Sequence, residues 1–276
     1  MNRRFLLQGG VFLLLLLLFT AMFHLLLPIA PSRLSKEEFV ETKSIVFRYV
    51  AIGDSLTEGV GDVTGQGGFV PLLAQDLMNQ YGYEMDVVNY GISGNTSNQI
   101  LKRMNKEEAI QKQLETANLM TLTVGGNDLR KVIIKNLSHL SIESFEEPSR
   151  EYGKRLKKII EKAREKNEKL PIYVLGIYNP FYLNFPQMTD MQIVVDNWNQ
   201  TTQETVEEYD NVYFVPINDL IYRGLEEEQV LQQNSYKAVN NLLNEADSFH
   251  PNNTGYEIMK QAVMEKIRAT KEKWNQ

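Results

Sequence analysis

Two rhythms of apolar positions alternate along most of the chain. Short runs of β-branched and aromatic residues give way to longer stretches with apolar positions three and four apart. The spacing predicts strands over 45–52, 85–89, 119–124, 172–177 and 212–215. It predicts helices over 69–81, 97–115, 149–169, 188–209 and 254–273. Strands that alternate with helices argue for a parallel sheet covered on both faces, an α/β fold. In such sheets ligands sit beyond the carboxyl ends of the strands, where three polar clusters of this chain fall.

The first segment breaks both rhythms. Residues 11–29 carry no charge and include six consecutive leucines, Leu13 to Leu18, behind Arg3 and Arg4. About 20 apolar residues suffice to cross a hydrocarbon core, and leading positive charge favours an inside N-terminus. The expectation is a transmembrane signal-anchor within residues 1–33, with the body outside the cytoplasmic membrane. A cleaved signal peptide, which would make the protein secreted, is the competing reading. The exit Leu27-Pro28-Ile29-Ala30-Pro31 lacks an Ala-x-Ala cleavage site. Residues 34–44 then read as a charged linker, and 45–276 as one folded domain.

Composition removes several functions. Setting aside Arg3, Arg4 and Arg33 leaves 26 Lys+Arg against 35 Asp+Glu, a body of net charge −9. Such a body repels a phosphate backbone, so nucleic acid is excluded as a partner. The absence of cysteine removes disulfides, thiolate nucleophiles and cysteine-held zinc. No metal site is expected either, because only one histidine lies near acidic residues.

Elimination among the three histidines leaves one candidate base. His24 lies inside the apolar run and His139 has no acidic neighbour closer than Glu143. His250 stands three residues after Asp247, in Asp247-Ser248-Phe249-His250-Pro251. On a turn, that spacing lets the carboxylate meet Nδ1–H and fix the tautomer in which Nε2 accepts a proton. By itself the motif also fits an ordinary helix cap. The matching nucleophile is Ser55, in Gly53-Asp54-Ser55-Leu56 after the first strand, since a serine hydroxyl needs a nearby base. Acyl transfer also needs oxyanion donors. Candidates are the N–H of Ser55, the N–H of Gly94 and the side-chain amide of Asn127, in Gly125-Gly126-Asn127-Asp128. Asp54 and Asp128 read as structural carboxylates that bond turn amides.

These blocks, in this order, resemble the GDSL or SGNH hydrolases over roughly residues 46–264. The resemblance implies a three-layer α/β/α sandwich with a flavodoxin-like five-stranded parallel sheet, and ester hydrolysis without metal or other cofactor. It assigns Ser55, His250 and Asp247 as the catalytic residues, and Ser55, Gly94 and Asn127 as the oxyanion hole. The expected function is a serine esterase or lipase-type acylhydrolase working through an acyl-enzyme, on a lipid, a small ester or an acylated glycan. Alternatives are an O-acetyl esterase of cell-envelope polysaccharide and a non-catalytic surface module. The aromatic loop 178–186 is a candidate acyl-pocket wall, and the connections 133–147 and 224–246 are candidate lids.

Overall fold

The computed structural model describes residues 3–26, 46–136, 139–183, 188–225 and 240–274. The chain divides into two compact units, Met1–Lys43 and Ser44–Gln276. In the first, one helix, α1 (Arg3–Leu26), carries the leucine run. Among the described residues no helix is long and apolar enough to cross a membrane. The expected span is therefore not supported: its last residues, 27–29, and the linker 34–44 lie outside the described residues.

The second unit is built on five parallel strands: β1 (Val46–Gly53), β2 (Glu84–Gly91), β3 (Leu119–Thr123), β4 (Ile172–Leu175) and β5 (Val212–Val215). Their order, β2-β1-β3-β4-β5, is the flavodoxin-like order that the resemblance implied. The central strands are apolar on both sides because both faces are covered. Val50, Ile52, Met120, Leu122, Ile172 and Val174 face one core. Tyr49, Ala51, Leu119, Tyr173 and Leu175 face the other. The first core is closed by α4 (Ser97–Lys106), α5 (Glu108–Glu115), α6 (Gly126–Lys135), α7 (Glu146–Arg164) and α8 (Asp190–Glu207). The second is closed by α3 (Phe69–Tyr81) and α10 (Asn253–Trp274). Full burial of each such side chain contributes about 1.5–3 kcal/mol. Two of the phenols in the second core have threonine partners, Tyr49 on Thr121 and Tyr173 on Thr270, each at 2.7 Å.

Helices depart from expectation where side chains redirect the backbone. The helix expected over 97–115 is two, α4 and α5, because Glu107 is extended (φ −89°, ψ 100°). The Gln111 amide caps the Met104 and Asn105 carbonyls at the break. The helix expected to reach residue 169 stops at Arg164, whose guanidinium takes the Leu170 carbonyl and turns the chain into β4. The expected connection 133–147 is largely helical: α6 runs to Lys135, and a 3-10 turn, Ile142–Phe145, leads into α7. Leu129, Val132 and Ile133 bury the inner face of α6. Two single-turn helices follow strand ends, α2 (Ser55–Glu58) and α9 (Asn218–Ile221).

Candidate active site

Strand order reverses between β1 and β3, so the loops after these two strands diverge and leave a crevice at their carboxyl ends. Both loops deliver polar groups there. β1 ends at Gly53, where an added Cβ would lie 2.2 Å from Thr123 Oγ1, so only glycine lets the strand end approach β3 this closely. The chain then turns at Asp54 into α2, which puts Ser55 at the first position of that helix. Ser55 is buried, 6 % exposed.

His250 arrives from the far end of the chain, just before α10. Its Nε2 lies 2.9 Å from Ser55 Oγ, and its Nδ1 lies 2.6 Å from Asp247 Oδ2. The other carboxylate oxygen, Oδ1, accepts the N–H groups of Phe249 (2.9 Å) and His250 (3.0 Å). Asp247 is thus oriented by its own turn before it orients the imidazole. Partial burial pushes its carboxyl upward, but the hydrogen bonds from the ring and those two amides prevail and hold it below its ordinary value. The turn needs a left-handed residue, and Ser248 adopts φ 50°. With the carboxylate on Nδ1–H, Nε2 is the free acceptor facing the serine hydroxyl.

Gly94 lies in the turn after β2 at φ 78°, a conformation that favours glycine. Its neighbours' N–H groups are taken, Ser93 by Glu58 Oε2 (2.5 Å) and Asn95 by the Ile92 carbonyl (3.2 Å). Asn127 opens α6 and donates one amide hydrogen to the Asn95 carbonyl at 3.0 Å, which leaves the second for another acceptor. Asp128 fixes this geometry from behind. It accepts the Ser97 N–H (2.8 Å) and hydroxyl (2.6 Å), and Arg155 pairs with it at 3.3 Å. The starts of α4 and α6 are therefore tied together beside the crevice.

Asp54, expected as a structural carboxylate, accepts the Leu56 N–H (3.1 Å) and the Thr123 hydroxyl (2.8 Å). Burial raises its pKa against the pull of those bonds. Thr123 also accepts the Asp54 N–H (3.2 Å) and shares 2.8 Å with Thr57 Oγ1. Neither threonine was visible as a site residue, because threonine in or beside a strand reads simply as strand propensity. Asp62 was missed as well. It accepts bonds from Thr64, Gln66, Gly67 and Gly68 and from the Asn253 amide, pinning the loop after α2 to the start of α10.

A cavity of about 40 Å³ opens beside Ser55. Asn127 and Thr123 line it on the polar side, and Val124, Ile177, Tyr178, Pro180 and Phe249 on the apolar side. The aromatic loop therefore contributes Tyr178 and Pro180. Phe181 packs on the first core, Tyr182 meets the Tyr222 ring edge-on, and residues 184–187 lie outside the described residues. Most of the expected lid 224–246 does too, since residues 226–239 are not described. Gly94 is not among the lining residues. His139 is exposed in a turn after α6. Among the described residues no group of three or more histidine, aspartate or glutamate side chains could hold a metal ion.

The chain belongs to the GDSL-like lipase/acylhydrolase family, whose model matches residues 51–258. Among its relatives, the Bacillus subtilis protein YpmR, itself uncharacterised, is 32 % identical over 84 % of this chain and 86 % of its own length. The spore germination lipase LipC of Bacillus licheniformis is 27 % identical over 82 % of this chain and 96 % of its own. Among solved structures, the lipase Lip_vut3 from a goat rumen metagenome superposes with a TM-score of 0.66 at 26 % identity, covering 79 % of this chain and 96 % of that one. The acetyl-xylooligosaccharide esterase Axe2 of Geobacillus stearothermophilus shares the fold (TM-score 0.57, 22 % identity, 81 % and 95 % covered). The protein is accordingly a GDSL/SGNH-type hydrolase, with lipases and esterases among its relatives.

Proposed function

We propose that the protein cleaves carboxylic esters through an acyl-enzyme on Ser55. The observation that carries this reading is the relay from Asp247 through His250 to Ser55, with links of 2.6 and 2.9 Å. Ser55 Oγ attacks the ester carbonyl carbon while its proton passes to His250 Nε2, and Asp247 stabilises the imidazolium that forms. The oxyanion is met by the N–H groups of Ser55 and Gly94 and by the second amide hydrogen of Asn127, each donor worth about 3 kcal/mol. His250 then returns the proton to the leaving alkoxide. Water, deprotonated by the same imidazole, releases the acid and restores Ser55.

The apolar side of the cavity supports an acyl ester as substrate, and a lipase is among the relatives. The small size of the cavity favours a second reading, removal of O-acetyl groups from cell-envelope polysaccharide. Turnover of p-nitrophenyl esters and of acetylated glycan by the parent protein and by Ser55→Ala tests both. Turnover that vanishes in the variant supports the mechanism. Equal, negligible turnover in both proteins across the panel would leave a non-catalytic surface module instead.

The same proposal puts the catalytic unit outside the cytoplasmic membrane, held by its N-terminal segment. Its support is Arg3 and Arg4 ahead of the uncharged run 11–29, with no Ala-x-Ala site after it. An N-terminally tagged chain should stay in the membrane fraction, with its body open to external protease. A wholly soluble, protease-shielded protein would overturn this part.

A further inference from the structure

Tyr178 belongs both to the wall of the cavity and to the support of the catalytic turn. It is buried, 8 % exposed, packs in the second core and lines the cavity beside Ser55. Its hydroxyl donates to the Phe249 carbonyl at 2.6 Å, one residue before His250. Burial pushes the phenol far above its ordinary pKa, so it remains a donor at any working pH.

The backbone on either side of Tyr178 is clamped. Asn199, from α8, both donates to the Ile177 carbonyl and accepts the Ile177 N–H, each at 2.8 Å. Asn218 accepts the Asn179 N–H at 3.0 Å. Tyr178 is thus a fixed post. The turn that it holds is exposed at Asp247 and Ser248, and its other brace is Asn244, whose N–H donates to the His250 carbonyl (2.7 Å) and whose carbonyl accepts the Ser248 N–H (2.8 Å). Phe249 passes the constraint on, with its N–H on Asp247 Oδ1 and its ring edge-on to the His250 ring at 5.1 Å.

The cavity is also small. About 40 Å³ holds roughly two or three waters, the space of an acyl group of about two to four carbons. A longer chain must leave through the open side of the cavity or displace a lining side chain, and Tyr178 is one of these.

We propose that Tyr178 joins acyl selection to the placement of His250: its ring limits the subsite to short acyl groups, and its hydroxyl holds the turn that presents the imidazole. This inference rests on the esterase reading above and names its acyl class. Tyr178 is a positioning residue in this scheme, acting on the reaction through Phe249.

The test uses the full chain with p-nitrophenyl acetate, butyrate and octanoate, and labelling of Ser55 by a fluorophosphonate. The parent protein should prefer acetate and butyrate over octanoate in kcat/KM by about tenfold or more, the scale of excluding a few methylenes. Tyr178→Phe keeps the ring and loses the bond. It should lower kcat about tenfold on every ester, with KM and the chain-length ratio unchanged. Ile177→Ala enlarges the same cavity without touching that bond, and should shift preference toward octanoate. A parent protein that favours octanoate, or a Tyr178→Phe variant with kcat within twofold of parent, would overturn the inference while phosphonate labelling persists. Absence of both labelling and turnover would overturn the esterase reading, and this inference with it.

Discussion

Replacing Asp247 by asparagine tests the relay at its most exposed member. Oδ1 of Asp247 receives two backbone N–H groups, from Phe249 and His250, so that position demands an acceptor. In Asp247→Asn the amide oxygen must occupy it, which turns the NH2 toward His250 Nδ1. Two donors cannot face each other, so the ring proton moves to Nε2, where it blocks acceptance of the serine proton. Turning the amide the other way would forfeit two hydrogen bonds of about 1 kcal/mol each. The lost charge adds to this. An imidazolium and a carboxylate about 4 Å apart attract by about 4 kcal/mol at an effective dielectric near 20. The Asp247 side chain is 38 % exposed, and solvent screening halves that to about 2 kcal/mol. Together the two effects raise the barrier by about 3–5 kcal/mol, a fall in kcat of roughly 200- to 5,000-fold. KM should stay within about twofold, because Asp247 does not line the cavity. Steady-state hydrolysis of p-nitrophenyl acetate measures both constants. A kcat within fivefold of parent, or a loss confined to KM, would refute the role given to Asp247.

Two further expectations concern stability. Thr123→Val keeps the shape of the strand end but strips the buried Asp54 carboxylate of its hydroxyl donor, the Asp54 N–H of its acceptor, and Thr57 of one of its two partners. Urea denaturation should show a loss of about 2–3 kcal/mol, the cost of removing several hydrogen bonds from buried groups, one of them to a carboxylate. Asp62→Asn probes the loop after α2. Desolvation pushes the Asp62 carboxyl upward, yet its bonds to Thr64, Gly68 and Asn253 prevail, and its pKa lies well below the ordinary range. A carboxyl depressed in the folded state contributes stability above its unfolded pKa, about 3.9, and loses it as pH falls toward the folded value. The difference in denaturation midpoint between parent and Asp62→Asn should therefore be full at neutral pH and shrink below about pH 4. A difference independent of pH would contradict the assignment.

The central strands of the sheet were legible because both its faces are buried there, so residues 119–123 and 172–175 stand out as largely apolar runs. The candidate base was legible for a different reason: only three histidines exist, and only His250 has an aspartate one turn away. What escaped depends on partners distant in the sequence. Nothing local to Thr123 reveals a carboxylate 69 positions earlier, and nothing near Tyr178 reveals the Phe249 carbonyl 71 positions later. The break at Glu107 escaped for a related reason. The apolar spacing continues across it, while the Gln111 amide that meets the Met104 and Asn105 carbonyls at the break leaves no local signal. For the N-terminal segment, charge and apolar length pointed to a span, and the described helix does not supply one.

The contact between Ser55 and His250 closes a loop of 195 residues. Strands β2 to β5 all lie between the two, so during synthesis the proposed nucleophile leaves the ribosome long before its proposed base exists. A nascent chain can pair β1 with β2 and β3 and bury much of one core while remaining chemically inert. On the proposed mechanism, catalytic competence therefore arrives only when the turn before the final helix has docked, and a chain that ends upstream of His250 is silent.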